Sequence, residues 1–588
     1  MKKIVLIEPQ IGQDHVYSLI KMPRLGLPLL GTQLKEAGYQ VDLYTAKIDE
    51  LPWHKIVKAD LVGISLTTST SLEGYRMADF LRSQQVTVVI GGIHPTFLPD
   101  EALQHADYVI KGEADFTFLE LVRSLEKGES PHNIPGLSFR KQNNEVIHNP
   151  CPEEWVDINQ TPMPDLSLFR IGEPRVVPIM TSRGCPFNCT FCSVTAMFGH
   201  QYRFRHTEKV LKELAMYQGR SVFFVDDHFT ANKKRCKELL QGIIDHKISL
   251  KRWSAQVRVE AAKDDELLQL MQKSGGSIAF VGLESINPAT LEAYNKKQSL
   301  DDIKECVRRF HDYKIRVHGM FVLGSDEDTI QTIRDTVDFS LDTRIDSVQF
   351  LTLTPLPGTP FFHKLDEEGR LLTKDWELYD GHHVVFLPAK MSPEELQEET
   401  VKVFKRFYSL RHVLQNVGLT GSHSALYRGV GWWLSRRFAK QSRWYDQALA
   451  FLKEGQKHGH VLSRKVQEIK EGMLELKANN NPLKIYINDQ KGVIYLKIQG
   501  FLNRFNLHEL NHTLRKMIPQ HCFHLVVNTE ELNFSSEKTA RAFTRLLEKI
   551  NRRTHRLQLI YREGENKLRL LQQQALKMPR FEILPVKK

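Results

Sequence analysis

The chain has 588 residues, 41% hydrophobic and 26% charged, an ordinary globular composition but too long for one core, so three or four domains are expected. No apolar run approaches the ~18–20 residues of a membrane span, and the start, Met1 to Pro9, reads as a first β-strand and not as a signal peptide. The net charge of +11 sits in the C-terminal third, where about 35 Lys and Arg face about 14 Asp and Glu from residue 401 onward; no nucleic-acid-binding signature accompanies it, and no nucleic acid partner is expected.

Residues 1–130 alternate strand and helix signals. Strand candidates are Ile4–Glu8, Val41–Tyr44, Leu61–Leu66, Val86–Ile90 and Tyr108–Ile110, with helical patterns at Leu25–Glu36, Leu72–Arg82 and Phe116–Leu125. This order predicts a doubly wound parallel sheet, with ligands at the carboxyl ends of the strands. Ser65 and Thr67 follow the third strand there, and Gly91-Gly92-Ile93-His94-Pro95 follows the fourth. Paired glycines let a ligand approach the backbone closely. Residues 131–175, rich in Pro and Asn, read as a linker with a little local structure.

Of seven cysteines, three fall in one stretch, Cys185-Pro-Phe-Asn-Cys189-Thr-Phe-Cys192, behind the strand candidate Val176–Met180. Three soft thiolates in a tight loop suit an iron–sulfur cube and leave one iron open to a small molecule. Zinc would call for a fourth ligand at a partner spacing, and the sequence has none. Cys151, Cys236, Cys306 and Cys522 are scattered singly, so no disulfide framework is expected and a reducing cytoplasm is the natural compartment.

Strand signals then recur at Val222–Val225, Trp253–Val257, Ser277–Val281, Arg316–Leu323 and Ser347–Thr352, with helices between. A partial or full (β/α) barrel over 176–390 is predicted, with its chemistry at the strand carboxyl ends. From the cap Ser392-Pro393-Glu394-Glu395 helices are expected to about residue 478. Within them Trp432, Trp433, Arg436 and Arg437 suit a membrane headgroup interface or a helical layer over the barrel. After Asn479-Asn480-Asn481-Pro482 a separate α/β domain is predicted over 482–588: strand, strand, helix, strand, helix, strand and a last helix at 565–575.

The cysteine spacing, with Phe191 before the third cysteine, resembles the signature of the radical S-adenosylmethionine (SAM) superfamily. That resemblance implies a [4Fe-4S] cluster on Cys185, Cys189 and Cys192, SAM chelated at the open iron, and its reductive cleavage to a 5′-deoxyadenosyl radical. It further implies SAM contacts from Asp226 and Asp227, from Gln256 and Arg258, from Glu284, and from the strand holding Gly319 and Gly324. The N-terminal sheet, with Gly91–Pro95 and Lys111-Gly112-Glu113-Ala114-Asp115, resembles the cobalamin-binding domain that precedes many such proteins. Ser65, Thr67, Gly91, Gly92, His94, Gly112 and Glu113 are the implied cobalamin neighbours. The Asp-x-His-x-x-Gly motif of many cobalamin domains is missing: the loop reads Gln10 to Val16 without that spacing. Cobalt is therefore expected to take no histidine from it, and His15 and His94 are expected as polar loop residues.

Leu353–Pro360 and Trp376–Phe386 resemble the barrel end of the cobalamin-dependent subgroup, where His382 and His383 either face substrate or are structural. The last domain resembles the STAS domain of anti-sigma-factor antagonists. Its Asn528–Ser536 loop lacks the Asp of the phosphorylated Asp-Ser pair, which favours docking to a protein partner over a switch. No catalytic side chain is singled out. The function implied is a cobalamin-dependent radical SAM methyltransferase acting on an unactivated carbon of a hydrophobic small molecule, lipid or tetrapyrrole-like. It would be served by an electron-donor protein, in the cytoplasm or at a membrane surface. The alternatives are a non-methylating cyclase or oxidoreductase, and a B12/Fe–S sensor signalling through the STAS-like domain, which would leave Asp226, Gln256, Arg258 and Glu284 without a task.

Overall fold

The computed structural model describes residues 2–10, 22–46, 51–141, 143–169, 174–412, the helix Ser422–Gln441, and beyond it Tyr445, Leu449 and a C-terminal sheet with one helix and a few further helical positions.

The first sheet comprises β1 (Lys3–Pro9), β2 (Gln40–Ala46), β3 (Leu61–Ser65), β4 (Thr87–Gly91), β5 (Tyr108–Ile110), β6 (Leu137–Arg140) and β7 (Val146–His148), in the order β2-β1-β3-β4-β5-β6-β7. β1 to β5 pair in parallel. Ile4 and Leu6 of β1 enter one hydrophobic cluster, while Val5 and Ile7 enter another on the opposite face. Both faces are therefore covered, which is why these strands read as continuous apolar runs. The order reverses direction at β1, between β2 and β3, where such sheets bind ligands. The local structure within residues 131–175 is a short hairpin: β6 pairs antiparallel with β5, and β7 antiparallel with β6. Strands of four and three residues around a turn with Asn144 at φ +66° are too short to show their alternation against the Pro and Asn of the region.

The second sheet runs from β8 (Val176–Ile179). Before the chain returns to that sheet it makes an excursion: β9 (Ser182–Arg183), the cysteine loop, the helix Ser193–Phe198, and β10 (Arg203–Phe204). The sheet then continues with β11 (Ser221–Phe224), β12 (Arg252–Val257), β13 (Gly276–Glu284), β14 (Arg316–Leu323) and β15 (Ser347–Thr352). All six strands are parallel, in the order β15-β14-β13-β12-β11-β8, and among the described residues the two edge strands do not pair, so the barrel is partial. One hydrophobic cluster runs from Ile4 and Leu6 through Met180 and Phe224 to Phe350 and Phe404, so the two sheets share a core. The helix Pro393–Phe407 starts at the expected cap, with Ser392 and Glu395 forming a reciprocal capping box.

The expectation of helix to residue 478 fails at its end. β16 (Leu474–Leu476) is a strand that pairs antiparallel with β17 (Leu483–Gln490). Three alternating residues carry too weak a signal alone, and the neighbouring strand supplies the order. β18 (Val493–Leu502), β19 (His524–Asn528), β20 (Leu532–Phe534), β21 (Arg556–Arg562) and β22 (Phe581–Val586) complete that sheet, β20 pairing with β18 off the main path. The helix Glu537–Asn551 buries Ala540, Phe543, Leu547 and Ile550 against it, a 3.6-residue stripe. The helix expected at 565–575 lies outside the described residues. Among the described residues no helix is long and apolar enough to cross a membrane.

Candidate active site

The cysteine loop leaves the sheet under tight control. Asp226, just past β11 and buried, accepts hydrogen bonds from the backbone N of Thr181 (2.6 Å) and of Ser182 (3.1 Å), and from the Thr181 hydroxyl. Arg235 donates to Thr181 Oγ1 (2.6 Å) and Thr181 O (3.0 Å). Burial raises the Asp226 carboxyl, and the bonds from Thr181 oppose that. Gly184 (φ +86°) lies so close to Gln201 O that a Cβ would collide with it. Arg258 lies 3.8 Å over the Phe187 ring and pairs with Glu260, while the His228 ring stands 5.6 Å from Phe187. Phe191 packs on Tyr294 at 4.8 Å, Asn295 donates to Asn188 O (3.0 Å), and the backbone of Phe361 donates to Thr190 O (3.2 Å).

Within that frame Cys185, Cys189 and Cys192 are each partly exposed. Burial raises Cys185 and pushes Cys192 up to about 12, so uncharged thiols prevail here unless a cation draws the protons off. Ferric and ferrous iron supply that charge. Among the described residues no three His, Cys, Asp or Glu side chains converge on a single-ion site. A cube takes each thiolate at a different iron, so its ligands stand further apart than those of one ion. The three thiols fit a cluster with one open corner.

Of the residues implied for SAM, Asp227 and Gln256 line the cleft described below. Burial, then Asp226, pushes Asp227 up to about 6. Asp226 instead serves the loop's backbone, and Arg258 its phenyl ring. Glu284 sits at φ +61°, where β13 shifts register against β14, and receives the Lys296 ammonium at 2.6 Å. Gly319 and Gly324 have packing reasons: a Cβ on Gly319 would lie 3.0 Å from Leu283 Cδ1, and one on Gly324 (φ +102°) 2.5 Å from Leu396 Cδ2. His228 was not anticipated as a site residue. Its Nε2 lies 3.2 Å from Thr230 Oγ1, its Nδ1 is buried without a partner, and burial, then Arg258, lowers it to about 3, so it is neutral. The one sequence signal for it is its place directly after Asp226-Asp227.

Between the carboxyl ends of the two sheets lies a cavity of about 440 Å³. Ser65, Gly91, Gly92, Gly112 and Glu113 line it from the first sheet; Arg183, Asp227 and Gln256 line it from the second; Leu29, Met180, Met197, Phe198 and Phe223 make it largely apolar. A Cβ on Gly91 would meet only Ile110, its O at 3.7 Å and its Cβ at 4.0 Å, and one on Gly112 nothing within 4 Å. That open backbone is a cradle for a broad, flat ligand such as cobalamin. Gly92 (φ +107°) has a different reason, since a Cβ there would strike the backbone of Leu66. Thr67 forms a capping box with Thr70. His94 is absent from the cavity lining: it is fully buried, 3.2 Å from Glu101 and edge-on to Trp376 at 5.2 Å. His382 and His383 are buried as well, and His383 Nδ1 lies 3.0 Å from Asp380; neither lines the cavity. His15 lies outside the described residues.

Comparison with known proteins agrees with this division of the site. The Radical SAM superfamily profile matches residues 179–340 and the B12 binding domain profile residues 18–122. The chain is 31% identical over 422 residues to the bacteriochlorophyllide d C-12(1)-methyltransferase of Chlorobaculum tepidum, covering 69% of this chain and 87% of that protein. It belongs to the B12-binding group of the radical SAM superfamily. Hopanoid C-2 methylase of Rhodopseudomonas palustris is 27% identical over 386 residues, 62% of this chain and 68% of that protein. The solved radical SAM methyltransferase TsrM of Kitasatospora setae, with cobalamin and a [4Fe-4S] cluster bound, shares the fold (TM-score 0.57, 17% identity, 75% of this chain and 100% of that one). The cofactors of this radical SAM enzyme are the [4Fe-4S] cluster, SAM and cobalamin, which the cysteine loop and the glycine-lined cavity fit.

Proposed function

We propose that the chain is a cobalamin-dependent radical SAM methyltransferase that methylates an unactivated carbon of a hydrophobic small molecule, tetrapyrrole- or lipid-like. The observation that carries this is the cavity that brings Asp227 and Gln256, behind the cysteine loop, into one apolar space with Gly91 and Gly112 of the first sheet. When bound, the cofactors supply the hard chemistry, a radical from SAM and a methyl group from cobalt. The chain's residues bind and exclude. Cys185, Cys189 and Cys192 hold the cluster, Asp226 and Arg258 hold the loop in place, and Asp227 and Gln256 are the polar groups facing SAM. Met180, Phe198 and Phe223 keep water from the radical. Glu284, paired with Lys296 at 2.6 Å, is the acceptor for ribose hydroxyls.

We read the chain as a cobalamin-binding domain over 1–130 with the hairpin of β6 and β7 beside it, a barrel over 176–390, a helical extension from 391, and a STAS-like domain over 482–588 joined by β16. The parallel β18, β19 and β21 with the helix Glu537–Asn551 across them support that last assignment, and its role is docking to a protein partner in the cytoplasm. The helix Ser422–Gln441 exposes Trp433 and Val430 and stacks Arg436 on Trp432 (4.4 Å) and Arg437 on Trp433 (5.2 Å). That pairing of aromatic and guanidinium suits peripheral contact with anionic lipid. A protein electron donor reduces the cluster.

The test is anaerobic. Chain loaded with cobalamin, iron and sulfide is incubated with methyl-labelled SAM, dithionite and a lipid and pigment extract. Comparable, extract-dependent S-adenosylhomocysteine and 5′-deoxyadenosine with labelled product are expected. Deoxyadenosine alone would replace methylation with cyclase-like chemistry.

A further inference from the structure

The loop that lines the cavity at Gly112 carries two acids whose partners belong to the other half of the site. β9 and β10 pair antiparallel with Arg203 directly opposite Arg183. Two like charges placed so repel unless an anion lies between them. Glu113 takes that place. Its Oε1 accepts from Arg183 Nη1 (2.6 Å) and Arg203 Nη2 (3.0 Å), and its Oε2 from Arg203 Nη1 (2.7 Å) and the backbone N of Val156 (3.2 Å). Asp115 grips Arg183 with both oxygens, at 2.8 and 3.0 Å. Arg203 also donates to Val156 O (2.9 Å) and lies 5.2 Å over Trp155. All four side chains are largely buried, the acids 5% and 8% exposed and the arginines 11% and 13%. Burial works against the Arg183 charge, and the Asp115 and Glu113 carboxylates outweigh it.

The geometry bears on both cofactors. β9 and β10 close the base of the excursion that carries Cys185, Cys189 and Cys192. Glu113 and Asp115 follow Gly112 on the cobalamin side. A carboxylate has about four acceptor positions, and protein donors fill the four on Glu113, so it has none left for a ligand. We propose that Glu113 and Asp115 are positioning residues that clamp the cobalamin-side loop to the base of the cysteine excursion and so fix the separation of cobalt and cluster. This rests on the reading that both cofactors bind. Replacing one acid by its amide leaves a buried guanidinium uncompensated, and the ribbon must shift to find another anion or water.

The test compares the full-length wild type with Glu113→Gln and Asp115→Asn by two readouts. Amide hydrogen exchange is followed before any cofactor is added. Dipolar coupling between cob(II)alamin and the reduced cluster is measured by pulsed electron paramagnetic resonance after loading. Both variants are expected to hold iron and cobalamin at wild-type levels, to exchange at least tenfold faster over 182–204 with the C-terminal sheet unchanged, and to show a cobalt–cluster distance distribution at least twice as wide. Unchanged exchange and an unchanged distribution would overturn the clamp. Loss of cobalamin from Glu113→Gln with exchange over 182–204 unchanged would also overturn it, by making Glu113 a ligand contact. Should Glu113→Gln fail to fold, Asp115→Asn, which keeps the bridge between the arginines, and Arg203→Lys give the same two readouts. A wild type that binds no cobalamin would defeat the parent reading instead, and the cofactor-free exchange would still decide the clamp.

Discussion

Two parts of the site, the cysteine loop and the first-sheet wall of the cavity, are built by opposite means. The cysteine loop is held by side chains: Asp226 at its start, Arg258 on Phe187, Tyr294 on Phe191 and Asn295 on Asn188. The first-sheet side is defined by what is missing, an open backbone at Gly91 and Gly112. A cluster is coordinated at three points, so small displacements of sulfur break it; a broad macrocycle is admitted by clearance, so added bulk excludes it. Precision on one side and vacancy of side chains on the other follow from the two ligands.

The comparison breaks most sharply at its chemical ends. Cys189→Ala should abolish cluster assembly and deoxyadenosine formation while cobalamin stays bound, read from iron content and from absorbance of the corrin. Gly91→Phe should do the converse, lowering cobalamin content at least tenfold while the reduced cluster keeps its paramagnetic signal. Gly324→Ala tests whether a glycine implied for SAM acts through packing. A Cβ 2.5 Å from Leu396, on a residue at φ +102°, should cost about 2 kcal/mol in chemical denaturation, with SAM affinity of the folded enzyme unchanged. The smallest effect is in pH. Glu399, hydrogen-bonded by Arg334 at 2.7 and 2.9 Å, is held down to about 2. A lowered carboxyl stabilises the fold above its unfolded value near 4.5 and loses that contribution as pH falls toward 2. Arg334→Ala should therefore lower the melting temperature at neutral pH and flatten its fall between pH 4.5 and 2, so that variant and wild type converge at about pH 2.

The cysteine spacing and the alternation of strands were readable because each is a local pattern: three thiols within eight residues, and apolar runs bounded by turns. What escaped was nonlocal or short. Arg183, Arg203 and Lys296 gain meaning only from acids 70, 90 and 12 residues away. Asp226 ends a strand at the implied place, yet its partners are the backbone amides of Thr181 and Ser182 and the Thr181 hydroxyl, 44 and 45 residues away. Gly319 and Gly324 resemble ligand-side glycines in sequence, and only the neighbouring Leu283 and Leu396 reveal the packing reason. The strands β6, β7, β16 and β20, each of three or four residues, draw their order from the partner strand more than from their own composition.

The central claim is that cobalt and cluster act on one substrate across one cavity. The most direct measurement is transfer of labelled methyl from SAM into an extract component by the loaded wild type, with Cys189→Ala and Gly91→Phe alongside. The account predicts labelled product from the wild type alone, with Cys189→Ala losing both deoxyadenosine and product, and Gly91→Phe still cleaving SAM but transferring no methyl. Undiminished methyl transfer by Gly91→Phe without cobalamin would contradict it.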